Sequence, residues 1–359
     1  MRIAFFGSSL VSAYWNGAAT YYRGILKSLA NRGHAITFYE PDAYDRQGHV
    51  DHPDPPYAKV VVYENDEAAM RDAIMQADDD ADVVVKASGV GVFDRELEAV
   101  VSGDLKRPGR ACVFWDVDAP ATLDRTINDP ADAFRGQIPQ FDTILTYGGG
   151  PPVVEAYAKL GARRCVPIYN ACDPDTHHAV EPNERFACDL ALLANRLPDR
   201  EARIDAFFFE AARLLPDKSF LLGGNGWDDA DLPANVRAIG HVAPPDHNAF
   251  NCTPRAVLNV NRQSMARYGW SPATRVFEAA GAGACLVTDA WRGIDEFLEP
   301  DAEVLVAEDG AAVAEHLASL ADDDARRIGS VAKSKVLASH TYEDRAELAE
   351  SELLRAINR

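Results

Sequence analysis

Ser271, Thr274, Arg275 and Glu278 stand three, four and seven positions apart in the stretch Arg267–Asp289, RYGWSPATRVFEAAGAGACLVTD. On a helix these spacings put the four on one face, with Val276, Phe277 and Ala280 on the other. Ser271-Pro272 reads as the helix start, Gly281 and Gly283 as its end, and Ala284–Thr288 as a short buried strand. The polar stripe then lies behind a helix N-terminus, whose free N–H groups and positive dipole end suit an anion. A carboxylate about two turns further in would accept hydrogen bonds from hydroxyls carried by that anion. A nucleotide diphosphate with its ribose has this chemistry. A capped helix with Arg275 and Glu278 as an ordinary i,i+3 ion pair accounts for the same residues.

Asp116 and Asp118 follow the apolar run Ala111–Trp115 and precede Pro120. A carboxylate just past a strand end is placed to take a proton from a hydroxyl, and aspartates in such positions also cap turns. Gly7-Ser8-Ser9 follows another apolar run, and Gly148-Gly149-Gly150 a third. Glycine lets backbone approach a ligand closely, so both loops are candidates for the ligand side of a sheet. Arg196, Arg200, Arg262 and Arg275 are the arginines expected at strand and helix ends of the second half of the chain, and they stand out on a chain of net charge −20.

That charge argues against a general nucleic-acid binder or a polybasic membrane-surface protein, since both need a positive field. It leaves small molecules as the expected partners. Acidic runs such as Asp78-Asp79-Asp80 and Asp322-Asp323-Asp324 read as solvated surface. The six cysteines are scattered without CxxC spacing, which reads as free thiols in a reducing compartment and gives no metal site. His177-His178 has no third ligand nearby in sequence. Met1–Gly7 enters a strand directly and no apolar run approaches membrane-spanning length, so a cytoplasmic protein is expected.

These residues need a scaffold. At 359 residues the chain calls for two domains. Strands are predicted at Arg2–Phe6, Ala35–Tyr39, Lys59–Tyr63, Asp82–Lys86, Ala111–Trp115, Thr143–Tyr147 and Arg164–Ile168, with helical segments between most of them. Asn16-Gly17 is expected to cap the first helix, which runs to about Asn31. GxGxxG is absent after the first strand, which removes support for a standard NAD-binding site. The non-periodic, proline-bearing segment 171–187 reads as a linker. A second alternation follows, with strands at Asp189–Ala194, Ser219–Leu222, near Val236, at Ala256–Val260 and at Glu303–Val306, a helix from about Asp199 to Leu215, and three helices after Gly310. The fold class is therefore α/β: residues 1–170 and 188–340 form two Rossmann-like parallel-sheet domains facing across a cleft, with the C-terminal helix of 341–359 expected to pack back on the first domain.

Taken in order, the motifs resemble glycosyltransferases of the GT-B fold, most closely the CgeB-type (spore maturation protein B) group. The matching residues are Gly7-Ser-Ser9 with Gly17-Ala-Ala-Thr-Tyr-Tyr-Arg-Gly24, Arg32-Gly-His34, Asp116-Val-Asp-Ala-Pro-Ala-Thr-Leu123 and Asp142–Gly150. Gly161-Ala-Arg-Arg164, Asp173-Pro-Asp175, Thr274-Arg-Val-Phe-Glu-Ala279 with its two glycines, Glu296–Pro300 and Glu303–Val306 continue it.

The resemblance implies transfer of a sugar, a hexose by preference, from a nucleotide-diphosphate donor, with a UDP-sugar expected, to a hydroxyl acceptor. It implies no obligatory metal and no cofactor beyond that co-substrate. Glu278 corresponds to the ribose-contacting glutamate, and Arg196 and Arg200 to the basic pair that meets the diphosphate. His241 stands where relatives place the base contact, Gly269, Trp270, Ser271 and Thr274 belong to the donor loop, and Gly7, Ser8, Ser9, Gly148 and Gly149 to the acceptor side. Many retaining members carry a second glutamate eight positions before the first; here Trp270 stands there, which leaves the anomeric outcome open and gives the Tyr268–Trp270 loop a stacking role in its place. For an inverting enzyme Asp118 or Asp116 is the candidate base. An epimerase or hydrolase of the same fold, and a binding protein without turnover, fit the same motifs.

Overall fold

The central strands of two parallel sheets are apolar runs buried on both faces, as expected where helices cover each side. The computed structural model describes residues 1–198 and 200–358, and the chain divides into two units, residues 1–170 with 342–359 and residues 171–341.

In the first unit β1 (Arg2–Phe6), β2 (Ala35–Pro41), β3 (Lys59–Tyr63), β4 (Val83–Ala87), β5 (Ala111–Asp116), β6 (Thr143–Thr146) and β7 (Cys165–Pro167) form one sheet of order β3-β2-β1-β4-β5-β6-β7. Phe5 sits at its centre, stacked on Phe38 with ring centroids 5.3 Å apart and tilted against Trp115. The last helix, Tyr342–Ile357, completes this unit by lying on helix Ala19–Asn31. Gly24 makes the approach possible, because a Cβ there would overlap the Tyr342 ring. Arg32 then reaches Glu350 at 2.6 Å and Glu343 at 2.9 Å, His34 meets Glu350 at 2.9 Å, and Arg164 pairs with Glu352. The first helix has no side-chain cap: its N-cap is Ala18, and Asn16 instead donates to the carbonyls of Ser9 and Ser12.

The second unit holds β8 (Leu190–Leu193), β9 (Phe220–Gly223), β10 (Val236–Gly240), β11 (Ala256–Asn259), β12 (Leu286–Asp289) and β13 (Leu305–Ala307) in the order β10-β9-β8-β11-β12-β13. The helix expected from Asp199, a residue outside those described, runs from Glu201 to Leu214 and contains a π turn at Asp205–Phe209. That wider turn buries Phe207, Phe208 and Phe209 together, Phe208 edge-on to Phe220 and Phe209 edge-on to Trp227.

The segment read as a linker is a strap docked on the second unit. Cys172 donates its N–H to the His340 carbonyl at 2.9 Å and forms a parallel bridge with Thr341. Asn248 holds the strap further on, donating to the Thr176 carbonyl at 2.9 Å and accepting from the His178 N–H at 3.3 Å.

Candidate functional site

Where the strand order of a parallel sheet reverses, the loops beyond the carboxyl ends part and leave room for a ligand. In the second unit this happens between β8 and β11. Arg200, beyond β8, donates to the Val260 carbonyl at 3.1 Å. Arg203 donates to the Asn261 carbonyl at 2.9 Å and to the Asp289 carboxylate at 2.6 Å, which in turn accepts the Asn261 N–H at 2.9 Å. Three loops are thus laced together at the reversal point. Burial raises the Asp289 pKa above the usual range despite those partners. Arg203 and Asn261 escaped the sequence reading; the available signal was a second arginine one helical turn beyond Arg200.

Arg196 is engaged by Glu201 at 2.6 Å and Asp229 at 2.7 Å, with its guanidinium over the Trp227 ring, so a diphosphate there would have to displace two carboxylates. Arg262 is the N-cap residue of a short unforeseen helix, Gln263–Tyr268. His241 follows β10 and is exposed.

The organising helix runs from Thr274 to Ala282, so Ser271 is not its cap: the N-cap is Ala273, and the Ser271 hydroxyl donates to the Gly269 carbonyl at 3.0 Å. Gly283 in the left-handed region ends it, while Gly281 lies inside. Gly269 has φ of +75°, and a Cβ there would come 2.8 Å from the Arg292 carbonyl oxygen. Trp270 is also left-handed and its indole N–H donates to Glu296 at 2.6 Å, with Arg292 over its ring. The ring therefore packs against the 292–296 turn.

Glu278 is 6% exposed. Its Oε1 lies 3.5 Å from His177 Nε2 and its Oε2 3.8 Å from Arg275 Nη2. Burial pushes this carboxyl upward, but His177, Arg275 and His247 outweigh it and hold the pKa below the usual range. His247, whose Nε2 lies 3.1 Å from the Val242 carbonyl, is shifted down by burial and by Arg275. Neither histidine was expected from sequence here, since both are remote from Glu278 along the chain. Two buried donors at this edge have no acceptor among the described residues: Arg275 Nη1, in the first turn of the helix, and Asn261 Nδ2, beyond β11.

In the first unit the reversal falls between β1 and β4. Gly7 is pressed against the Phe38 ring, and the Ser8 and Ser9 hydroxyls turn inward, to Asn16 and Glu40, each at 2.9 Å. Gly148 is buried, and Gly149, with φ of +89°, is the N-cap of helix Gly150–Lys159. Asp116 is fully buried and accepts from Tyr157 at 2.5 Å, from Thr122 at 3.0 Å and from the Asp118 N–H at 3.0 Å. Burial raises its pKa. It fixes the turn that presents Asp118, which is half-buried at the N-cap of helix Ala119–Asn128. The neighbouring loops expose three aromatic side chains, Tyr14, Trp15 and Tyr44, beside carboxylates such as Asp42 and Asp45, with Trp15 71% exposed.

Comparison with known proteins agrees with this architecture. Residues 200–351 match a family model described as glycosyl transferase-like. Among solved structures, a sucrose-phosphate synthase from Thermosynechococcus elongatus superposes with a TM-score of 0.72 at 13% identity, over 100% of this chain and 99% of that one. HepE of Anabaena, solved in complex with UDP-glucose, gives a TM-score of 0.68 at 14% identity over 99% and 100% of the two chains. An alpha-glucosyltransferase solved with UDP and a 13-mer DNA gives 0.69 at 13% identity, covering 100% of both. No curated protein sequence is similar enough to count as a relative. The fold is that of the GT-B glycosyltransferases, two Rossmann-like parallel-sheet units with C-terminal helices. Among the described residues no helix is long and apolar enough to cross a membrane.

Proposed function

We propose that the protein is a glycosyltransferase, of the CgeB-type group its motifs resemble, that transfers a hexosyl group from a UDP-sugar to a hydroxyl acceptor. The observation that carries this reading is a pair of buried donors without an acceptor among the described residues, Arg275 Nη1 in the first turn of helix Thr274–Ala282 and Asn261 Nδ2 just beyond β11. Buried donors without partners are costly, and an anionic ligand rich in acceptor oxygens would satisfy them. The diphosphate would sit at this helix start with Arg275, with Arg200 at the end of β11 as the second cation, so that protein charge takes the part a metal plays elsewhere. Glu278 would accept the ribose hydroxyls.

On the first unit Asp118 would take the acceptor proton, with Asp116 and Tyr157 holding its turn. Tyr14, Trp15 and Tyr44 would offer stacking surface to an acceptor with a flat apolar face. The fold likeness to UDP-bound structures supports the nucleotide class.

A thermal-shift screen with UDP, GDP, ADP and CMP at millimolar concentration tests the donor assignment. UDP is expected to raise the melting temperature most. No stabilisation by any of the four overturns it.

A further inference from the structure

The strap between β7 and β8 is fastened to the second unit at Cys172 and again around His177. Cys172 fixes one end through His340 and Thr341, and Asn248 grips the backbone on either side of His177, at Thr176 and His178. The His177 N–H donates to the Asp173 carbonyl at 2.8 Å, and the Cys172 thiol lies 3.6 Å from the His177 carbonyl oxygen. Gly281 is what lets this strap lie on helix Thr274–Ala282. A Cβ at that position would overlap Cys172 Sγ and come 3.4 Å from the His177 carbonyl oxygen. The imidazole is buried, 8% exposed, with Nε2 3.5 Å from Glu278 Oε1.

The distances to Glu278 decide what this contact does. A carboxylate has roughly four acceptor positions. Glu278 is flanked by His177 on one oxygen and Arg275 on the other, at 3.5 and 3.8 Å, and among the described residues neither contact closes to a hydrogen bond. The two groups set the orientation of the carboxylate and leave its acceptor positions for hydroxyls. A vicinal diol, with two hydroxyls on adjacent carbons, fits such a pair of oxygens.

We propose that His177 is a positioning residue: the strap uses it to hold the Glu278 carboxylate in the orientation that reads the 2′- and 3′-hydroxyls of a nucleotide ribose. This rests on the nucleotide-sugar reading above. It goes beyond that reading in making the segment between the two sheets part of ribose recognition.

Titration calorimetry of the full chain with UDP and with 2′-deoxy-UDP tests it, because a residue that only supports the fold would weaken both ligands alike. The wild type is expected to prefer UDP by about tenfold, the usual worth of a hydrogen bond to a charged group. His177→Ala should reduce that preference several-fold with little change in 2′-deoxy-UDP affinity, and His177→Gln, which keeps a donor near the Nε2 position, should restore most of it. Asn248→Ala, which frees the strap without touching the carboxylate, should lower the preference in the same direction. A wild-type ratio in both His177→Ala and Asn248→Ala overturns the proposal while leaving the nucleotide site standing. Failure of the wild type to bind either ligand removes the site itself.

Discussion

His177 Nε2 and Glu278 Oε1 lie 3.5 Å apart although the residues are 101 positions distant in the chain (278 − 177). The contact joins the strap that precedes β8 to helix Thr274–Ala282, and with Arg275 and His247 it makes a cluster around one buried carboxylate. Because Glu278 is the anion of this cluster, its removal has two separable effects. Glu278→Ala and Glu278→Gln both leave Arg275 without its counter-charge and are each expected to lower stability by about 3–5 kcal/mol, Glu278→Gln less because it keeps the shape, and both lose acceptor strength towards ribose hydroxyls. Denaturant unfolding and UDP titration of both variants check this; wild-type stability in both would contradict the cluster.

The packing of the strap on Gly281 gives a second expectation. Gly281→Ala would press a methyl group into Cys172 Sγ and is expected to destabilise by about 1–3 kcal/mol, as overpacking does. The double variant with Cys172→Ala should recover much of that loss. Additive losses in the double variant would show that the two do not meet.

Acidification tests His247. Its folded pKa is lowered by burial first and then by Arg275, with His177 acting in the same direction and Glu278 and the Val242 carbonyl opposing. A depressed histidine favours the neutral form in the folded state, so the unfolded chain binds the proton first as pH falls. The stability it allows is fully present above about pH 6.5 and is lost as pH falls towards the folded pKa. Glu278, held below its ordinary range, loses its contribution only at lower pH still. Thermal melts between about pH 7.5 and pH 5.5 should therefore show a steeper fall for the wild type than for His247→Gln. Parallel curves would refute this.

The two aspartates after β5 should separate cleanly. Asp116→Ala strands the Tyr157 hydroxyl in the core, leaves Thr122 only the Asp118 carbonyl, and is expected to cost about 2–5 kcal/mol of stability. Asp118→Asn should leave the melting temperature nearly unchanged while lowering kcat by about 10²–10⁴, the usual worth of a general base. Unchanged kcat in Asp118→Asn would remove it from the reaction.

Much of the scaffold was legible because parallel strands buried on both faces are continuous apolar runs, as Val83–Ala87 and Ala111–Trp115 show. Boundaries slipped where side chains do not decide them. Ser271 looks like a cap in sequence, yet the N-cap falls two residues later, on Ala273, because the left-handed Gly269 and Trp270 turn the chain first. Glu278 was legible from helical periodicity; its partners were not. His177 and His247 reach it through tertiary packing alone, and a polar, proline-bearing strap has no periodicity to betray its docking. Arg196 shows the converse, since its position beyond β8 was readable but its engagement by Glu201 and Asp229 was not.

The central claim is that the start of helix Thr274–Ala282 seats a nucleotide diphosphate. Titration calorimetry of UDP against the wild type and Arg275→Ala addresses it most directly. Measurable binding to the wild type is expected, with a loss of about tenfold or more in the variant, the share of a charge-assisted contact to phosphate. Equal affinity in the two proteins, or no binding by a folded wild type, would contradict it.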